Sequence, residues 1–194
     1  MKARWKWTVL VAVVAALVVS IAGMAFAAST EDTAAAVETA GPAAGTTTAS
    51  LSAHAARHLA TLREEEKLGR DVYTVLYDRW GVEAFKKIAA AESRHMEAVK
   101  KLLDKYGIED PVGSNPPGVF TNDKIQTAYN DAVAKGTTSL ENAYKVGIAI
   151  EKADIALVRD LMGDTTRRDI KLVAMNLLTQ SLNHLAVFDA LLSN

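Results

Sequence analysis

The chain has 194 residues, 49% of them hydrophobic, with 22 basic and 23 acidic side chains and a net charge of -1. That is enough apolar material for one domain with a real core, and it lacks the positive charge that a nucleic-acid partner would need. Cysteine is absent, which excludes disulfides, thiolate zinc sites and a cysteine nucleophile and leaves any metal to nitrogen and oxygen ligands.

Lys2, Arg4 and Lys6 precede an apolar run over about 8–23, and Ala25-Phe26-Ala27 supplies the small residues of a signal-peptidase site. Residues 1–27 therefore read as a signal peptide. The basic region has no Arg-Arg pair and no cysteine follows the run, so the expected route is Sec-type export to an extracytoplasmic location: secreted, periplasmic or cell-surface. The alternative is an uncleaved anchor, because the run approaches the length that spans a bilayer; membrane contact is expected only through that segment. Removing residues 1–27 takes away three cations and no anions, leaving 19 basic and 23 acidic residues and a net charge of -4. Residues 28–52, rich in Ala and Thr with Gly41-Pro42 and Thr46-Thr47-Thr48, read as a flexible spacer.

From Ala53 to the end, residues 53–194, helical periodicity is continuous and no strand pattern interrupts it. A first helix over 53–80 is ended by Gly81 and a second over 82–106 by Gly107, each glycine in the position that favours a left-handed cap. A loop bearing Pro111, Gly113, Pro116, Pro117 and Gly118 follows. A short helix over 122–135 starts at Thr121 or Asn122 and stops at Gly136. The next, over 139–162, opens on Thr138-Ser139-Leu140-Glu141, which has the form of a capping box. The last runs over 165–192 after Gly163-Asp164. Tight turns make antiparallel hairpins of the first two long helices and of the last two, while about thirty residues between the pairs span the length of a bundle. The expected fold is all-α: a four-helix bundle with one long crossover carrying a short extra helix.

Each long helix has a row of residues at alternating three- and four-residue steps, the spacing of a core-facing stripe. These rows are interrupted by polar groups. The first reads Leu59, Leu62, Glu66, Gly69, Tyr73, Leu76; the second Phe85, Ile88, Glu92, His95, Val99, Leu102. The third places Glu151 and Asp154 between Gly147 and Val158, and the fourth Ser181 and His184 between Leu177 and Phe188. Four carboxylates and two imidazoles are thus aimed at one interior with no basic residue in any row. Ionised carboxylates there cost several kcal/mol each unless cations compensate, so a metal site is the expectation. For Glu66 the competing register puts Glu65 inward and leaves the Glu64-Glu65-Glu66 run as a solvated face. Asp154 with Glu151 has a competing reading as part of a buried ion-pair network, and His184 as a core histidine. His54 and His58 read as surface residues. Tyr73 reads first as core packing and second as a hydrogen-bonding neighbour of a metal. Gly69 and Gly147 permit either close helix packing or a small void for an oxidant.

Glu64-Glu65-Glu66-Lys67-Leu68-Gly69-Arg70-Asp71-Val72-Tyr73, Ala91-Glu92-Ser93-Arg94-His95-Met96, Gly147 through Asp154, and Ser181-Leu182-Asn183-His184-Leu185 together resemble the ferritin-like di-iron carboxylate superfamily. Within it the chain is most similar to a bacterial ferritin-like domain family without an established function. The resemblance covers about 55–192. It implies a ferritin-like bundle with one Glu from the first helix, Glu-x-x-His from the second, one Glu from the third and Glu-x-x-His from the fourth. Glu66, Glu92, His95, Glu151 and His184 match; Ser181 stands where the last carboxylate belongs, and Asp154, one turn beyond Glu151, is expected to replace it. Mixed carboxylate and imidazole donors suit two iron ions, with manganese as the alternative. The functions that follow are an exported oxidase or peroxidase acting on dioxygen or peroxide with a separate electron donor, a non-enzymatic module that binds and sequesters iron, or a metal-free structural or interaction bundle.

Overall fold

The computed structural model describes residues 51–193, and the expected signal peptide and the spacer as far as residue 50 lie outside them. Five helices follow in order: α1 (Ala53–Trp80), α2 (Glu83–Tyr106), α3 (Asp123–Gly136), α4 (Leu140–Asp164) and α5 (Arg168–Ser193). Their boundaries are set by local chemistry. Ser52 caps α1 by accepting from the Ala55 amide, and Asn122 caps α3 by accepting from the Lys124 amide. Gly81 and Gly107 end α1 and α2 at φ of 66° and 65°, where a side chain would be strained.

Two expected boundary signals work differently. The cap of α4 is Ser139, whose hydroxyl accepts from the Asn142 amide, while Glu141 pairs with Lys145 instead of reaching back. Gly136 is the last residue of α3 and not a left-handed stop; a Cβ there would lie 2.7 Å from Leu76 Cδ2, so its role is close approach of α3 to α1.

The four long helices form an all-α bundle. α1 packs on α2 and α4, and α5 on α4 and α2, while α3 lies against α1 and α4. Contacts between Tyr73 and Glu151 and between His54 and Asp164 make α1 and α4 antiparallel; those between Tyr106 and Asp169 and between His95 and His184 do the same for α2 and α5. The crossover therefore leaves α4 parallel to α2. Among the described residues no helix is long and apolar enough to cross a membrane.

The core is two apolar layers. One, built on Val72, Leu76, Phe85, Ile88, Ile150 and Phe188, includes Phe120 and Ile125 from the crossover. The other, built on Leu59, Leu62, Leu103, Val158, Leu161 and Leu177, fills the opposite end. On each long helix the polar interruption falls between the two layers.

The crossover explains the acidic run of α1. Glu64 accepts from the amides of Thr121 (2.6 Å) and Asn122 (3.2 Å) at the start of α3. Lys67 donates to Asp71 (2.6 Å) and to the Pro116 carbonyl (2.9 Å) with Phe120 beneath it, and Asp71 accepts from Gly118 N. Arg63 forks onto Asp110. Glu64, Glu65 and Glu66 are consequently all buried, so the run is not the solvated face that one register allowed. A charged surface row became an interior clamp because a long connection covers it.

Candidate metal centre

Glu66 from α1, Glu92 and His95 from α2, Glu151 and Asp154 from α4 and His184 from α5 meet between the two apolar layers, each fully buried except His184, whose side chain is 12% exposed. His95 Nδ1 lies 3.1 Å from Glu66 Oε2 and 2.8 Å from Glu92 Oε2. On the other side His184 Nδ1 is 3.0 Å from Glu92 Oε1 and 3.5 Å from Glu151 Oε1. Two groups of donors result, Glu66 with Glu92 and His95, and Glu92 with Glu151 and His184, each compact enough to hold a metal ion. Glu92 belongs to both, one oxygen turned to each. Asp154 belongs to neither.

The hydrogen bonding of these six residues is incomplete. Glu66 Oε1, Glu92 Oε1, Glu151 Oε2, Asp154 Oδ1, His95 Nε2 and His184 Nδ1 are buried with no hydrogen-bond partner. Each such atom ordinarily costs about 1–3 kcal/mol, more where the group is charged, and native interiors hold few of them. Glu92 Oε1 and His184 Nδ1 stand 3.0 Å apart as a charge pair without hydrogen-bond geometry. Buried carboxylate and imidazole atoms brought together in this way could hold a metal ion.

Electrostatics describe the same strain in the absence of a cation. Burial, reinforced by Glu92, pushes the Glu66 carboxyl well above its usual range. Burial also raises Asp154 strongly, with Glu66 and Glu151 adding to it, and lifts Glu151 to about 7. Glu92 is the exception: burial works against its charge, but the imidazoles of His184 and His95 outweigh it and hold the carboxyl at about 2. Burial disfavours the charged imidazoles too, yet Glu151 and Glu92 carry His184 up to about 9, and Glu92 raises His95. Apart from Glu92, every group of the cluster holds its proton more tightly than it would in water.

Neighbouring residues orient these donors. The Tyr73 hydroxyl donates to Glu151 Oε1 at 2.7 Å, leaving Oε2 free, while its ring packs on Phe85 and Phe188, so the residue combines core packing with a hydrogen bond to a candidate ligand. A Cβ on Gly69 would lie 3.3 Å from Glu92 Cγ, so that glycine makes room for the shared carboxylate. Gly147 serves packing, since a Cβ there would meet three ring atoms of Phe188 at 2.7–2.8 Å, and no void for an oxidant lies at that position. Ser181 is buried in the fourth row without offering a carboxylate. Glu65, the competing inward residue, is also buried and raised to about 7 by burial and by Glu64, but it is in neither donor group.

The sequence reading missed two things. His58 is buried, not a surface residue. Lys67 and Arg63 lie inside the molecule, off the four rows, beneath the crossover; their helical phase, one face away from Glu66, was the available signal.

Comparison with known proteins adds a family. The chain belongs to the family described as an uncharacterized protein domain (DUF2202), whose model matches residues 55–193. It is 47% identical over 136 residues to the uncharacterized protein MJ0754 of Methanocaldococcus jannaschii, an alignment covering 70% of this chain and 74% of that protein. The crystal structure of hypothetical protein MJ0754 superposes with a TM-score of 0.72 at 42% identity, covering 80% of this chain and 86% of that one.

Proposed function

We propose that the protein is a ferritin-like metalloprotein binding two divalent ions, iron first and manganese second, between the two apolar layers. The observation that carries this reading is the sharing of Glu92: one buried carboxylate presents its two oxygens to two separate imidazole-carboxylate groups with unpartnered atoms. Charge supports the count. Four ionised carboxylates, Glu66, Glu92, Glu151 and Asp154, offset two divalent cations, whereas one cation leaves two buried negative charges uncompensated. In this reading Glu66, Glu92 and His95 hold one ion and Glu92, Glu151 and His184 the other. Asp154 completes the balance on the Glu66 side, the carboxylate nearest to it electrostatically.

A carboxylate- and imidazole-ligated pair of iron ions supplies electrons in pairs to small oxidants such as dioxygen or peroxide. The chain's own part is to orient and to exclude water. Tyr73 fixes the rotamer of Glu151, Gly69 admits Glu92, and the two apolar layers close the ends of the site. His184, the one partly exposed donor, marks the side from which a small molecule reaches the centre. We place this activity outside the cytoplasm, on the strength of the N-terminal export signal, with electrons delivered by a separate donor.

Ser181 favours a second reading, a bundle that keeps the skeleton without metal, because a hydroxyl replaces the carboxylate of the superfamily pattern. Elemental analysis of protein isolated from its own compartment separates the two. About two equivalents of iron or manganese per chain are expected, and a metal content near zero would refute the first reading. Metal-loaded protein that consumes neither dioxygen nor peroxide faster than free Fe(II) would instead make it a sequestering module.

A further inference from the structure

At the end of the bundle where α1 begins and α4 finishes, His54 and His58, one helical turn apart, face Asp164, the last residue of α4. His54 Nδ1 is 2.8 Å and His58 Nδ1 2.9 Å from the same oxygen, Asp164 Oδ2. The two rings lie 4.4 Å apart between centroids. Only His54 makes a hydrogen bond to that oxygen; His58 Nδ1 is buried, with its side chain 5% exposed, and has no hydrogen-bond partner. A buried imidazole nitrogen 2.9 Å from a carboxylate oxygen that it does not hydrogen-bond, beside a second imidazole bonded to the same oxygen, leaves His58 Nδ1 as an unpartnered ligand atom facing the cluster. All three donor atoms fall within 4.8 Å of one another.

We propose that His54, His58 and Asp164 form a second, mononuclear site for a divalent transition ion of the zinc class. Two imidazoles and one carboxylate suit such an ion better than magnesium or calcium, which prefer all-oxygen sets. The partial negative charge at the C-terminal end of α4 offsets the partial positive charge at the start of α1. Protonation of both rings is a poor substitute: the cations would stand side by side, and burial already lowers the proton affinity of His58, with His54 adding to the effect. His54 and Asp164 are partly exposed, 40% and 32% by side chain, so coordination positions face solvent and the ion exchanges freely. This site is separate from the central one. Glu66 stands eight positions after His58 on α1, a rise of about 12 Å, and Leu59, Leu62, Val158 and Leu161 fill the interior between them.

The test is zinc binding by the full chain, measured by equilibrium dialysis, for the parent and for His54→Gln and Asp164→Asn, with Co(II) absorption as a second readout of ligand type. Both variants alter partly exposed groups, and thermal melts in metal-free buffer are expected to match the parent within a few degrees. The expected result is loss of one zinc equivalent per chain in each variant, with affinity at that site reduced by more than the roughly 10- to 100-fold that an outer neighbour of a metal ligand contributes. An equal zinc count and affinity in parent and variants would overturn the proposal, as would variants that lose their fold in the absence of metal, since the trio would then be a structural ion pair. Glu92→Ala distinguishes the two sites: it removes ions from the centre only, so this inference and the central reading stand or fall separately.

Discussion

Chelation is expected to reverse the pH dependence of this protein's stability. In the metal-free chain Glu151 is raised from 4.5 to about 7 and His184 from 6.5 to about 9, both deep in the bundle. A raised folded-state pKa contributes stability that is fully present below the unfolded value and lost as pH climbs through the folded one. The windows are therefore pH 4.5 to about 7 for Glu151 and 6.5 to about 9 for His184. The two groups face each other, so their shifts belong to the pair and do not add; at about 1.4 kcal/mol per pH unit a shift of this size is worth about 3 kcal/mol. Glu66, Asp154 and His95 shift in the same direction. Glu92 has the opposite sign, but its contribution is lost only as pH falls from 4.5 towards 2. Against a total of about 5–15 kcal/mol for a typical domain, loss of even one such term lowers the melting temperature by about 10 °C. With metal bound the slope inverts, because ions require deprotonated ligands and their binding tightens as pH rises; a ligand at about 1,000 times its Kd adds about 4 kcal/mol. Calorimetry in EDTA and in excess Mn(II), at about pH 5.5 and about pH 8.5, reads both arms. A metal-free melting temperature that is flat or rises over this range, or parallel slopes with and without Mn(II), would refute the reasoning.

Glu92→Gln removes the charge shared by both donor groups and is expected to abolish binding of both central ions, whereas Glu66→Gln weakens chiefly one; metal stoichiometry after dialysis measures the difference. Tyr73→Phe frees Glu151 Oε1 and is expected to weaken metal binding about 10- to 100-fold with little loss of packing, read by competition with a chelator of known affinity. Gly147→Ala forces a Cβ into the Phe188 ring and is expected to cost about 1–3 kcal/mol in urea unfolding, without changing the number of ions bound. Lys67→Met leaves the buried Asp71 with only Arg70 and the Gly118 amide; a loss of about 3 kcal/mol is expected, together with earlier proteolysis within the 107–122 connection.

The six central residues were legible because their rows mix two periodic signals: apolar spacing that defines the inward face, and carboxylate or imidazole groups at steps where that spacing continues. Glu92 and His95, one turn apart between Ile88 and Val99, needed nothing beyond helical geometry. Glu66 needed more. Three consecutive glutamates leave the phase of α1 open by one residue, and all three proved to be buried, because Glu64 serves the crossover, Glu66 the centre, and Glu65 lies covered between them. His58 was misread for a related reason: the N-terminal turn of α1 looks like a helix end open to solvent until the end of α4 closes over it.

What the sequence determined by itself was local and periodic: four long helices and a short one, their pairing into hairpins through tight turns, and the row of each that faces inward. Tertiary structure alone decided which donors share an ion-sized space, that Glu92 serves both groups while Asp154 stands outside them, that Lys67 and Arg63 are interior, and that His54, His58 and Asp164 meet. The reason is physical. Helical phase repeats within a few residues and is written in the chain, whereas a meeting of residues on different helices, tens of positions apart or more, depends on how the connections lie across the bundle and on the packing that fixes each helix's rotation and offset.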